Sequence, residues 1–377
     1  MRTKCSWLAL PLIFFFLTSQ AQDLSNISDT KKLAVNGDFS IHGIGYSAKG
    51  IANRRPPTAY YFNGNITLSL LGLQLPFRFT LSDQNQNLST PFNQFGISPS
   101  YKWITVHLGY RNICYSPYTL GGATMLGYGV DINPGKFKFG IMYGRLNKAT
   151  EIDSSSGYVR PYSFERKGLA INLGVGSKRT YFDLSVLRAG DDSNSVQNKL
   201  NPGDSLAVTP AQNLCAALKF SIGLGKKIRF FGDIGYSLYT NNINSSIKLS
   251  EDVQKIVDGF KPFFTLNATT DHFLAYNAGL EFESKLFSLK TGFQYVEPDF
   301  KSMGAYYFNT DIKNFTISPS FRTRKNKFRL NGSLGIQSDN VLNTKTSTTK
   351  RIIGRGNLSW MPNKKFGLDI NYSNYST

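Results

Sequence analysis

Long apolar runs are scarce in this 377-residue chain. Beyond its first residues, no segment approaches the roughly 20 apolar residues that a membrane-spanning helix needs. A helical anchor is therefore excluded for the body of the chain. Cysteine is nearly absent: Cys5, Cys114 and Cys215 are all there is. Two cysteines about a hundred residues apart form neither a disulfide framework nor a metal-ligand spacing. Histidine is as rare (His42, His107 and His272), and no HExxH, P-loop or GxSxG motif occurs. Nothing singles out a nucleophile, a cofactor site or a metal site, so no enzyme is expected. Acidic residues are few, 24 against 43 Lys and Arg, which leaves a formal charge of +19. Charged residues are 18% of the chain, below the usual quarter or so.

The chain does carry an export signal. It opens MRTKCSWLALPLIFFFLTSQAQ. Arg2 and Lys4 form a basic start, Trp7 to Leu17 a short apolar stretch, and Thr18 to Gln22 a small and polar end. That order is a secretory signal peptide, residues 1–22, cut near Ala21 or Gln22. The apolar stretch is too short to span a bilayer. The mature chain, residues 23–377, is thus exported. It is soluble outside the inner membrane or enters a membrane as a β-barrel. For an exported basic chain, nucleic acid is not an expected partner. Anionic lipid headgroups, lipopolysaccharide phosphates and small anionic solutes are.

Next comes a period of two. In KFRLNGSLGIQ, Phe328, Leu330, Leu334 and Ile336 alternate with Lys327, Arg329, Asn331 and Gln337. Successive side chains of a strand point to opposite faces, so one face is oily and the other wet. The pattern recurs at Phe137-Phe139-Ile141-Tyr143, Ile228-Phe230-Ile234-Tyr236, Leu274-Tyr276-Leu280-Phe282 and Phe366-Leu368-Ile370-Tyr372. About 17 such segments of roughly 9–13 residues follow one another. Strands of soluble proteins average about 5–6 residues, whereas a tilted transmembrane strand needs about 9–11.

The connections alternate in length. Short turns rich in Gly, Pro, Asn and Lys include Asn133 to Lys136, Gly176 to Arg179, Gly223 to Lys226 and Met361 to Lys364. Between them lie long polar loops, about 47–59, 83–91, 112–119, 148–165, 189–211, 241–271, 297–311 and 338–349. Outer-membrane barrels have short periplasmic turns and long extracellular loops. The wet faces carry Gly, Ser, Asn, Thr and scattered Arg or Lys, as a polar barrel interior would. Aromatics are 14% of the chain. Tyr101, Trp103, Trp360, Tyr110, Tyr115, Tyr236 and Tyr239 sit near strand ends, where aromatic girdles lie. The fold expected is an all-β transmembrane antiparallel barrel of about 16–17 visible strands. A short amphipathic helix is expected at about 250–260, where Ser250 caps SEDVQKIVDGF.

Parity raises a difficulty. If the first strand, at about 33–46, starts at the periplasmic side, a seventeenth at 364–375 runs outward. Single-chain barrels usually have an even number of strands. The expectation is that this is an incomplete part of a larger barrel.

Three stretches, Ser116 to Ala149, Tyr295 to Asp311 and Lys350 to Ser376, resemble a group of Gram-negative outer-membrane β-barrel proteins, large single-chain barrels whose function is generally unassigned. The resemblance covers most of the mature chain, and its members look longer. It implies a barrel fold and an outer-membrane address, and it transfers no site residues.

Candidate lumen cations are Arg111, Lys138, Lys219, Arg229, Lys290, Arg322, Arg329 and Arg355, against the acids Asp131, Asp183, Asp233, Glu281 and Asp369. Rings of Arg or Lys favour anions. The leading functional expectation is a porin-like channel that prefers anionic solutes. A non-conducting barrel scaffold of a secretion, adhesion or surface-assembly complex is the alternative, and a secreted soluble β-sandwich that binds glycans is a third. Glu297-Pro298-Asp299 near Asp311 has the oxygens calcium takes, but a solvated loop accounts for them as well. A first prediction follows from the leader: mass spectrometry of the exported protein will place the mature N-terminus within a residue or two of Gln22. A retained Met1 would contradict it.

Overall fold

The computed structural model describes residues 33–51, 56–83, 93–152, 159–200, 204, 206–247, 259, 263–305, 309–323, 325, 327–363 and 365–376. The leader and most of the expected helix at 250–260 lie outside the described residues. Among the described residues, no helix is long and apolar enough to cross a membrane.

Among the described residues the chain is a meander of eighteen strand elements. They are Leu33–Gly45 (β1), Thr58–Leu70 (β2), Leu73–Ser82 (β3), Gln94–Ile97 (β4), Ser100–Tyr101 (β5), Ile104–Cys114 (β6), Gly121–Ile132 (β7), Phe137–Asn147 (β8) and Glu165–Gly176 (β9). Then follow Tyr181–Asp192 (β10), Gln212–Leu224 (β11), Ile228–Thr240 (β12), Thr270–Glu283 (β13), Phe287–Val296 (β14), Ile312–Arg322 (β15), Phe328–Ser338 (β16), Lys350–Asn363 (β17) and Phe366–Ser376 (β18). Each pairs antiparallel with its sequence neighbours. The elements β4 and β5 are pieces of one interrupted strand, because both pair with β3 and with β6. The wall therefore counts seventeen, and β1 and β18 run in the same direction. Among the described residues, no ladder joins β1 to β18.

Short and long connections fall where the sequence placed them. The β2–β3 turn is Leu71 and Gly72, both at positive φ (48° and 84°). This is the pattern of a two-residue hairpin whose twist matches its strands. The inward and outward faces follow from the register. Leu218, Ile234, Tyr236, Leu280, Ile317, Leu334, Ile336 and Ile370 are 39–65% exposed. All lie on the oily parity, and an exposed apolar band of this extent is the lipid-facing surface of a barrel.

The other face is not uniformly wet. The β6–β7 connection (115–120) and the first part of the β14–β15 connection (297–305) fold inward against β10–β13. Tyr118 is 2% exposed and its hydroxyl accepts a hydrogen bond from Asn277 Nδ2 at 3.2 Å. It sits over Gly235, where a Cβ would lie 2.3 Å from the Tyr118 Cβ; only glycine leaves that room. Ser116 Oγ donates to both carboxylate oxygens of Asp233, at 3.0 and 3.1 Å. The two connections also hold each other. Ser302 Oγ donates to the Thr119 carbonyl (2.6 Å), and the backbone N–H groups of Gly121 and Ala123 donate to the Gly304 carbonyl. Contacts from one side of the sheet to β12 and β13 require the sheet to be rolled up.

Leu120 and Met303, brought in by these connections, close a dry cluster with Met125, Met142, Ala170, Leu187 and Cys215. The expected polar interior therefore does not hold over β7–β11, where the lumen wall is an apolar core. Two girdle assignments change for the same reason. Tyr115 turns inward and donates to Asp131 (3.1 Å). Tyr239 lies beneath the Lys301 ammonium, 5.1 Å from its ring centre. Cys114 is exposed and Cys215 buried, both as free thiols.

Facing decides tolerance to charge. Leu334→Arg, on the lipid face, will destabilise the barrel in vesicles by about 2–4 kcal/mol. Ser333→Arg, on the adjacent inward position, will cost less than about 1 kcal/mol. Urea titration of the folded protein in lipid measures both; equal losses would mean the faces are reversed.

Candidate functional site

The inward connections divide the lumen. One side, walled by β7–β14, is packed against them. The other, walled by β15–β18 and β1–β6, keeps exposed polar residues on its inner face. All eight candidate cations lie on inward positions of the register, but they fall into two groups.

In the packed side the cations are opposed by acids. A register line runs from Lys138 through Gly174, Asp183, Lys219 and Asp233 to Asn277. Along it, Lys138 Nζ pairs with Asp183 at 3.2 Å, and Lys219 stands between Asp183 and Asp233 as their ladder partner. Nearer the short turns, Arg229 pairs with Glu281. Lys290 is opposite Glu281 and 4.8 Å from the centre of the Phe231 ring. Opposite charges at close range largely cancel one another's field beyond a Debye length. These four cations contribute little free charge to the lumen.

On the open side the arginines are less constrained. Arg329 and Arg355 are exposed, and among the described residues neither they nor Arg351 has a hydrogen-bond or ion-pair partner. Arg322 donates through Nε to the Lys285 carbonyl (3.1 Å) and is the ladder partner of Arg329. Arg78 donates to Asn65 Oδ1 (2.8 Å), and Asn65 Nδ2 donates to Asp38 Oδ2 (3.2 Å). Arg111 lies near this chain, on the inner face of β6. Arg78 and Arg351 were not among the expected cations. Both stand at wet positions of alternating strands, which was the signal available. The acids on this side include, among the described residues, Asp38 and Asp369 on the wall and Asp311 and Asp339 toward the long loops. His107 is satisfied within the protein, between Ser98 Oγ (2.8 Å) and Asp131 (3.0 Å).

Two depressions lie along β16 and β17. One, of about 340 Å³, is lined by Asn331, Ser333, Arg355, Asn357, Asn371 and Ser373 over the backbone of Gly332, Gly356 and Tyr372. The other, of about 370 Å³, lies toward the long loops and includes Asp311, Gln337, Asp339, Lys345 and Arg351. In it, burial pushes the Asp311 carboxyl up. Hydrogen bonds from Lys345 and the Val341 and Asn340 backbone outweigh that and hold it below the ordinary carboxylate range. Asp311 thus stays charged and ties one loop to the next. The acids near Glu297 do not converge: Glu297 Oε2 accepts the Leu274 N–H (2.7 Å). Among the described residues, no group of three or more potential ligands could hold a metal ion.

No protein-family model matches this chain, and no curated protein matches it. Its shape is similar to solved structures from Pseudomonas aeruginosa. OccK2 (OpdF), in complex with glucuronate, is 11% identical, with 91% of this chain and 90% of that chain covered and a TM-score of 0.45. OpdQ is 9% identical (91% and 93% covered, TM-score 0.45). OccK11 (OpdR) is 8% identical (92% and 90%, TM-score 0.46). Likeness at that level assigns no family, and the barrel fold stands on the chain's own strand pairing, inward loops and apolar outer face.

Proposed function

We propose that the protein is an exported outer-membrane barrel that conducts small solutes through the open side of its lumen and prefers anionic ones. The unneutralised arginines carry this reading. Arg78, Arg111, Arg322, Arg329, Arg351 and Arg355 face the open side and outnumber the acids Asp38, Asp311, Asp339 and Asp369 there among the described residues, and rings of Arg favour anions. The apolar outer band supports a membrane address. In this reading residues 1–22 are the leader and 23–377 the barrel. The short-turn cations Lys136, Lys178, Arg179, Lys226, Lys227 and Lys365 touch anionic headgroups at one rim.

One observation favours the second reading, a non-conducting scaffold: the inward loops fill the lumen over β7–β14. Single-channel recording separates the two, because a scaffold gives no regular steps. In a salt gradient the reversal potential will show anion selectivity. The double variant Arg329→Gln/Arg355→Gln will lower the anion-to-cation permeability ratio roughly a few-fold. At 1 M salt, where the Debye length is about 3 Å, the preference will shrink. Cation selectivity in the unmodified protein would overturn the proposal. Gly235→Val, which displaces Tyr118, will enlarge the conductance if the inward loops set the width of the path. Unchanged steps would place the constriction elsewhere.

A further inference from the structure

The depression on β16–β18 is not an ordinary patch of basic wall. Two register rows frame it. Asn331, Asn357 and Asn371 are ladder partners in one row, and Ser333, Arg355 and Ser373 in the next. Neighbours within a row stand about 4.8 Å apart and the rows about 6.6 Å apart. No carboxylate lines the cavity.

The amides are only partly used. A carboxamide offers two donor hydrogens and two acceptor lone pairs. Asn357 Nδ2 donates to Asn371 Oδ1 (2.5 Å), and Ser320 Oγ donates to Asn331 Oδ1 (2.6 Å). That leaves Asn331 Nδ2, Asn357 Oδ1 and Asn371 Nδ2, on residues that line the cavity, as a mixed set of donors and acceptors. A simple anion can use only the donors. A polyol uses both, because each hydroxyl donates one hydrogen and accepts two. Spacing within the row suits non-adjacent hydroxyls of one small carbohydrate. The volume, about 340 Å³, is that of a small-ligand pocket.

Arg355 adds one charge. Its guanidinium has no partner among the described residues and can take a carboxylate through two parallel N–H bonds. One row beyond the asparagines toward the short turn, Arg329, Ser359 and Asp369 are ladder partners, so an acid offsets the cation there, whereas no acid lines the row of Arg355. A solute on this wall therefore meets its uncompensated charge at Arg355 and its hydroxyl partners along the amide row.

We propose that this inner wall of β16–β18 is a binding subsite for a polyhydroxylated solute carrying one anionic group. The proposal rests on the channel reading above and sharpens it, because recognition then depends on hydroxyls as well as charge. The test uses the full chain in planar bilayers with three probes: D-gluconate, D-glucose and acetate. Gluconate is expected to reduce the ionic current saturably, at concentrations about tenfold lower than either glucose or acetate. Arg355→Gln will erase the gain of gluconate over glucose and leave that over acetate. Asn357→Thr and Asn371→Thr will do the reverse, and a β-sheet circular dichroism spectrum with heat-modifiable gel mobility like the unmodified protein's will show that the variants fold. Equal action of gluconate and acetate on the unmodified protein, or no effect of the amide variants, overturns the subsite and leaves the channel standing. If no regular steps appear at all, the channel reading fails. Saturation-transfer NMR with the same probes and variants in detergent then decides the subsite alone, and equal signals for the three probes overturn it.

Discussion

The bilayer core offers the backbone no water, so each N–H and C=O within it must find a partner in the protein. This constraint shapes everything else in the molecule. It forces strands into continuous ladders, and a continuous antiparallel ladder forces alternation of turns and loops. A ladder rolled around a lumen then forces alternation of side chains. Once one face meets lipid, the other is defined without further choice: Arg329, Asn331 and Ser333 face in because Leu330 and Leu334 face out. The constraint presses hardest at the edges of β1 and β18, which no ladder joins among the described residues. Seventeen strands leave these two running the same way, so a direct junction between them would be parallel, with slanted and slightly weaker bonds, rather than the antiparallel pairing used elsewhere.

The inner face obeys a second rule. A lumen filled only by water needs polar walls, but a lumen into which loops fold can be dry. The β6–β7 and β14–β15 connections reach the wall because Gly235 and Gly304 leave space for them. Gly304 lies where a Cβ would come within 2.6 Å of the Thr119 carbonyl. Their polar atoms are paired on arrival, Ser116 with Asp233 and Ser302 with the Thr119 carbonyl. Buried polar groups left unpaired would cost about 1–3 kcal/mol each. The packed side is thus a small protein core inside a barrel, and the opposite wall keeps exposed polar residues among the described residues.

Much of this was legible from residue order. The period of two and the alternation of connections depend on neighbours in sequence, which a single chain displays. What was not legible depends on contacts between distant segments. Met142, Leu187 and Cys215 occupy wet-face positions of their strands, and that break in the pattern was the trace of the dry core. Its meaning depended on Leu120 and Met303, which no local period connects to them. Tyr115 and Tyr239 were misplaced for the same reason. An aromatic near a strand end reads as a girdle residue until a loop is seen to cover it. Likewise, the pairing of Lys138 with Asp183 and of Arg229 with Glu281 follows from register, and register between strands was not visible in composition.

Those pairings change what the net charge means. A strongly basic barrel invites the view that every lumen cation attracts anions, yet four of the eight stand against carboxylates. On the proposed channel reading, selectivity then falls to the wall where arginines stand alone, and there they are spaced by amides and hydroxyls rather than by more charge. Such a path would hold an anion weakly at each arginine, which conduction requires, since a solute bound too tightly does not leave. Discrimination would come from the groups between the charges. The asparagine row can exchange its bonds with water for bonds with hydroxyls at little net cost, so on the same proposal it would distinguish solutes by shape and hydrogen-bond pattern while the arginines set only the sign.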